Sequence, residues 1–367
     1  LSHELAREKK TDLHIPALFD DLKQVAENVT PEEGFVTTEI LIERLELCRE
    51  SFDKDYARVA AFADLLFGED MAGFGDKTTA VFTQWENEGG GPSMPAMIAH
   101  AIEVFGLNPA SPCVRIAFLS AIFAEIPNSL QYHGNEHYRK VLFHSIRLVA
   151  THNRIFRDTN RAFSRDQIAI LLAGSCIHDL GHAGGDNLRD GVYTPGQMEQ
   201  RAINIAKPYF QAVGLSNDEI GDIETIVFCT DITFFAGDNS PCIRMKKIYK
   251  HYFWDDDSDV SMMMMGKLRR YEERPRLVLM AMILHEADIA TSAGLSYEQT
   301  MKETISIMEE RGIKTAGPKT VIAFLREQLG ETMFTEAGKQ LYGKVMAQVI
   351  KQAEQDIERG RKTFYDP

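Results

Sequence analysis

The chain has 367 residues, 40 Lys+Arg against 54 Asp+Glu, and a formal net charge of −14. A compact chain of this length buries roughly 75% of its unfolded surface, and 44% hydrophobic with 26% charged residues is the composition of a soluble globular protein, which excludes wholesale disorder. The acidic balance excludes non-specific nucleic-acid binding and adhesion to anionic membranes, because both need a basic face.

The elements predicted from hydrophobic periodicity are helices almost throughout. Thr38 to Phe52 and Asp55 to Phe67 carry helical spacing ahead of Glu88-Gly89-Gly90-Gly91-Pro92, the clearest break in the chain. That break separates an N-terminal helical extension, residues 1–90, from a second unit, residues 91–367. Beyond it, Met94 to Phe105, Pro112 to Glu125, Glu136 to His152, Arg165 to Ile177, Pro195 to Val213 and Ser216 to Thr230 read as helices. Arg274 to Ala290, Ser296 to Arg311, Pro318 to Gln328 and Thr335 to Arg359 follow in the same pattern. Ser216 with Glu219, and Ser296 with Gln299, are capping-box starts, and Pro195 suits a first helical turn after Thr194. Alternating strand patterns are almost absent, so the fold class is all-α, a compact multi-helix bundle.

Asp238 to Gly266 interrupts the pattern with Arg244, Lys246, Lys247 and Lys250, then Asp255 to Asp257, then Met262 to Met265. It reads as a solvated insertion loop, with a flexible lid or an apolar contact surface as the alternative. Apolar runs such as Leu277 to Leu284 fall short of the ~20 residues that span a bilayer, so no membrane span is expected and the chain reads as soluble and cytoplasmic. The first residue is Leu1 rather than Met, which reads as a fragment or processed form and leaves targeting illegible. Cys48, Cys113, Cys176, Cys229 and Cys242 are odd in number and lack a CxxC, so reduced thiols are expected, with Cys176 and Cys229 in the core.

The histidines are placed for chemistry. Tyr132-His133-Gly134-Asn135-Glu136-His137 sets two imidazoles four residues apart, on one helix face if the helix begins that early. His178-Asp179-Leu180-Gly181-His182 follows the apolar run Ile168 to Ile177, and His285-Glu286-Ala287-Asp288 ends another apolar helix. Imidazole nitrogens and carboxylate oxygens ligate zinc, whereas carboxylates with waters suit magnesium or manganese. Three apolar helices that each end in such groups are hard to assign to packing alone.

In these residues the sequence resembles the catalytic domain of the class I cyclic nucleotide phosphodiesterases, within the HD metal-dependent phosphohydrolases. The family order of YHNxxH, HDxDHPGxxN, ATD and HxAD is matched by Tyr132 to His137, His178 to Asn187, Thr230-Asp231 and His285 to Asp288. The likeness runs from about Tyr132 to Val349. It implies a dinuclear metal site at helix ends. His137, His178, Asp179 and Asp288 would bind a tight metal, usually zinc. Asp179 would also reach a second ion, usually magnesium or manganese. It further implies hydrolysis of a nucleotide phosphodiester, a 3′,5′-cyclic nucleotide first, by a metal-bridging hydroxide with His133 as general acid. His182 and Glu199 are further catalytic candidates, and Asp231 would orient water or a ligand imidazole from behind. Tyr132, Gln340 and Tyr342 are candidates for substrate binding, with Gln340 at about the distance after Asp288 where the family grips a purine.

Several positions depart from the pattern. Gly134 stands where the family has Asn, Ala183 where it has Pro, and Phe234-Phe235 where a histidine is usual. Gln200 and Arg201 replace histidines after Glu199, and Gly343 replaces the ring that follows the family's Gln. Two alternatives therefore accompany the cyclic nucleotide reading. One is an HD-type phosphodiesterase acting on another nucleotide, a dinucleotide or a phosphoribosyl-protein linkage, which would bring in a protein substrate or partner. The other is a non-catalytic nucleotide-binding module.

Overall fold

A computed structural model describes residues 15–31 and 35–365. The first fourteen residues of the expected N-terminal extension, and the side chain of Phe234, lie outside that description. The chain opens with α1 (Ile15–Asn28), which buries Ile15, Leu18, Phe19, Leu22 and Ala26, one stripe at helical spacing. α2 (Thr38–Ala60) begins at Thr37, whose hydroxyl accepts the Ile40 amide. It continues through Asp53-Lys54, where the sequence pattern divides it in two. Those polar residues sit on the outer face, and the buried stripe Leu41, Leu45, Cys48, Asp55, Val59 runs past them. α3 (Ala63–Phe67) and α4 (Phe74–Asn87) lead to the Gly-rich turn.

The centre is built from helices buried on almost every side: α5 (Met94–Phe105), α6 (Pro112–Phe123), α7 (Asn135–Ile155) and α8 (Arg165–Ile177). A Ser164–Gln167 capping box starts α8, and each residue from Ile168 to Ile177 is buried. A two-residue hairpin, β1 (Leu188–Arg189) with β2 (Val192–Tyr193), is too short to carry an alternating sequence signal. Then come α9 (Gln197–Val213), α10 (Asn217–Phe228), α11 (Pro241–Phe253) and α12 (Pro275–Gly294). α9 starts after Gly196, two residues later than Pro195 suggests. Ser216 makes the expected capping box with Glu219.

The Asp238 to Gly266 stretch is no solvated loop. α11 occupies its first half and buries Cys242, Met245, Lys246, Ile248 and Tyr249. Its lysines hide the amphipathic pattern because their stems lie along apolar surface: Lys246 rides over Phe334 and Lys250 over Trp254. The methionine run is anchored to α11, since Arg244 donates to the carbonyls of Met263 and Met265.

α13 (Tyr297–Glu310) is capped by Ser296, which accepts the Gln299 amide. α14 (Pro318–Ile322) widens into a π turn over Ala323–Gln328. α15 (Glu336–Gly338) passes through a second π turn, Lys339–Gly343, into α16 (Lys344–Glu358).

The pairings that matter for function are α6 with α8, α7 with α8, and α7 with α12. They bring the first turn of α7, the end of α8 and the polar segment of α12 together. The helices ahead of the Gly-rich turn belong to the same core: Phe19 meets Phe118 edge-on at 5.1 Å, and Tyr56 stacks on His100 at 3.8 Å. α12 is long and apolar enough to cross a membrane, but it is 94% buried inside the bundle. All five cysteines are free thiols, and all are buried.

Candidate active site

α7 begins at Asn135, so His133 precedes it and does not share a helical face with His137. The cause is local. Asn135 donates to the carbonyls of Ala124 and Ile126 and accepts the Asn128 amide, pinning the loop that carries Tyr132 and His133. A Cβ at Gly134 would lie 2.5 Å from the Leu130 carbonyl oxygen, which accounts for glycine at that position.

Four donor groups converge from the first turn of α7, the end of α8 and the interior of α12, which runs six residues past Asp288, where the sequence pattern ends it. His137 Nε2 lies 3.1 Å from Asp288 Oδ1 and 3.5 Å from Asp179 Oδ2. His178 Nε2 lies 3.2 Å from Asp179 Oδ2, 3.6 Å from Asp288 Oδ1 and 3.4 Å from His137 Nε2. The His178 Nδ1–H donates to the Ser175 carbonyl at 2.9 Å, which turns the Nε2 lone pair inward. Tyr138 donates to the Asp179 carbonyl at 2.7 Å and holds that turn. His137, His178 and Asp179 place one ligand atom each within 4.8 Å of one another, a spacing compatible with one divalent ion, and Asp288 Oδ1 lies within 3.6 Å of both imidazoles.

The charge state points the same way. Burial alone would keep His137 neutral, but hydrogen bonds to Asp179 and Asp288 push it up to about 9, and His178 goes well above its ordinary value by the same pairing. Burial would raise both carboxyls, yet the facing imidazoles draw them well below the ordinary range. Protons thus hold together a cluster that a cation could hold instead.

Beside it lies a second group. His133 Nδ1 is 2.5 Å from Glu310 Oε1, and Glu310 Oε2 accepts the amides of Tyr132 and His133. Burial would raise Glu310, but these donors hold it at about 2, so it is ionised. The His182 ring stacks on His133 at 4.0 Å. Burial lowers His182 to about 4, and its Nδ1 accepts the Gly184 amide, so the ring is neutral and carries its proton on Nε2. Glu310 is the residue that sequence reasoning missed. It sits 177 positions from His133 at the end of an otherwise ordinary surface helix, where no motif signals it.

Tyr132, His133, Asp179, His182, Glu199, Asp231 and Asp288 line one cavity of about 280 Å³. Burial, together with the nearby Asp231 charge, pushes Glu199 well above its ordinary value, and Asn187 donates to it at 3.0 Å. Asp231 accepts from the Tyr193 hydroxyl and the amides of Gly196 and Thr233, so its visible work is to fix the hairpin and the start of α9. The opposite wall includes Ile232, Met308, Phe324 and Gln328, and Arg311 is the one Lys or Arg among the lining residues.

Gln340 and Tyr342 lie elsewhere. Tyr342 is fully buried and its hydroxyl pairs with His144 Nδ1 at 2.9 Å, while Gln340 lines a different groove. A distance counted along the sequence assumes regular helix, and the two π turns before and at Gln340 shift the phase of every later side chain.

No protein-family model matches the chain, and no curated protein matches it in sequence. Among the solved structures that resemble it, one is the phosphodiesterase domain of the RhoPDE fusion protein from the choanoflagellate Salpingoeca rosetta, at 14% identity and TM-score 0.48, covering 78% of this chain and 92% of that one. Another is LmjPDEB1 in complex with IBMX, at 14% identity and TM-score 0.46, covering 93% and 98%.

Proposed function

We propose that this chain is a metal-dependent phosphodiesterase that hydrolyses a nucleotide phosphodiester, with 3′,5′-cyclic nucleotides first in line. The observation that carries the reading is the cluster of His137, His178, Asp179 and Asp288, whose two carboxylates line the same cavity as His133, the partner of Glu310. His137, His178, Asp179 and Asp288 would hold a zinc-type ion and Asp179 a magnesium- or manganese-type one, and such ions when bound would supply Lewis acidity and an acidified water. The chain's own residues do the rest.

Departure of a ribose alkoxide needs a proton, and His133 is the group to deliver it. Glu310 occupies Nδ1, which leaves Nε2 as the nitrogen facing away from it. His182, neutral and stacked against it, adds no competing positive charge. Glu199 and Asp231 stay in supporting roles, with the raised Glu199 able to keep a proton where a second bare carboxylate would repel the phosphate. Gln328 takes the base-reading role first given to Gln340. Its amide offers a donor and an acceptor to a ring edge, beside Phe324 on the same wall. The catalytic residues fall in 91–367, with the earlier helices as structural cover.

A second reading, a larger nucleotide or a phosphoribosyl-protein linkage, is favoured by exposed apolar side chains near the mouth: Phe235, which lines the cavity, and Leu188 and Val192 on the hairpin. The test measures bound metal and turnover on cyclic, linear and dinucleotide phosphodiesters and on phosphoribosylated protein, with Asp179→Asn and His133→Ala alongside. Turnover that survives loss of Asp179 overturns the mechanism. Stoichiometric metal without turnover on any substrate points instead to a binding module.

A further inference from the structure

A second groove, of about 570 Å³, opens between the end of α7, the end of α11 and the π turn before α16. Its size falls in the range of about 300–1,000 Å³ typical of small-molecule sites. It shares no lining residue with the histidine cavity. Its walls are aromatic. Trp254 stacks on Phe334 at 4.8 Å with planes 10° apart, and Tyr249 lies 4.6 Å from Phe253.

Cations edge these rings. Arg161 lies 4.1 Å over Phe156 and 5.5 Å from Phe253. It pairs with no carboxylate among the described residues. Lys339 stands 4.9 Å over Trp254, and its partner Glu336 is an exposed neighbour on the same turn, a weak pairing. Lys250 lies 5.7 Å from the same indole. In a chain of net charge −14, such a grouping is locally positive. The exposed Gln340 amide and the Tyr249 ring also line the groove, and Glu336 is the one carboxylate in the lining.

We infer that this groove is a binding site for a nucleoside monophosphate, separate from the hydrolytic cavity. The base stacks on Trp254, Gln340 and the Tyr249 hydroxyl meet its edge, and Arg161 with Lys339 takes the phosphate. Aromatic faces bind the uncharged ring of any base. A guanidinium already laid flat on rings keeps its N–H edge free for phosphate oxygens. The site does not depend on the chain being a phosphodiesterase.

The chain has two tryptophans, and the other, Trp85, is buried among Phe82 and Phe143. Tryptophan quenching therefore reads the groove. Adenosine 5′-monophosphate, adenosine and ribose 5-phosphate are titrated into the wild-type chain, Arg161→Ala, Lys339→Ala and Asp179→Asn. The monophosphate should quench saturably, and either half alone should bind at least about tenfold more weakly. Arg161→Ala should weaken it about tenfold, Lys339→Ala less, and Asp179→Asn not at all. Absence of saturable quenching by the monophosphate, equal affinity for adenosine, or quenching lost in Asp179→Asn overturns the site. If neither cation variant folds, the comparison of monophosphate with adenosine on the wild-type chain still decides.

Discussion

Glu310 meets His133 with Oε1 2.5 Å from Nδ1, and its other oxygen ties down the backbone that carries the histidine. One carboxylate thus sets the ring's orientation and engages its Nδ1. Glu310→Gln keeps the shape and removes the charge. It should lower kcat by about 10²-fold and should change KM little. His133→Ala should cost as much or more. A kcat for Glu310→Gln within about twofold of wild type would remove the pair from the reaction.

The donor cluster makes a prediction that needs no substrate. His137 and His178 hold protons that a divalent ion must displace, so binding at pH 7 should release protons to the buffer. Calorimetric titration with zinc in two buffers of different ionisation enthalpy should give different heats, and affinity should weaken as pH falls. Asp288→Asn and His178→Ala should each lower affinity by more than about tenfold while the helical circular dichroism is kept. Equal heats in both buffers would contradict the protonated cluster.

Gln328 should act on binding and not on chemistry. Gln328→Ala should raise KM for the best nucleotide about tenfold, the worth of one or two hydrogen bonds, with kcat within about threefold. A variant whose kcat collapses at unchanged KM would return the residue to a structural role.

Stability should fall on acidification, and two histidines outside the cluster explain why. Burial holds His144 at about 3, between Tyr342 and Thr291, and lowers His152 to about 4. Both are neutral when folded and take up a proton when unfolded below about 6.5, so the unfolded state gains between the two values. Their stabilising neutrality is complete above pH 6.5 and is lost progressively toward pH 4. His144 alone should withdraw about 2 kcal/mol between pH 7 and pH 5, read by urea unfolding. In His144→Gln, less stable at pH 7, this pH slope should shrink. An unchanged slope would exclude the residue as its source.

The helices were legible wherever one face or every face is apolar, which is why α5 to α8 and α12 stand close to their expected bounds. The convergence of His178, Asp179 and Asp288 was legible because each follows or interrupts an apolar run, whereas His137 stood out only by its spacing from His133. α11 was hidden by lysines whose stems do apolar work. Glu310 was hidden because contact between residues 133 and 310 is a property of how α13 crosses the bundle, and nothing local encodes it. Gln340 misled because a π turn leaves no mark in hydrophobic spacing.

α5 and α6 are covered by α1 and α2, with Phe19 and Phe52 closing over Phe118 and the Tyr56 carbonyl accepting from His100. A gene trimmed to begin at the Gly-rich turn would encode a protein with a bare, oily flank, prone to precipitate as it is made. The first helices are therefore part of the heritable unit. A crossover near Gly90 would hand on a bundle with that flank uncovered.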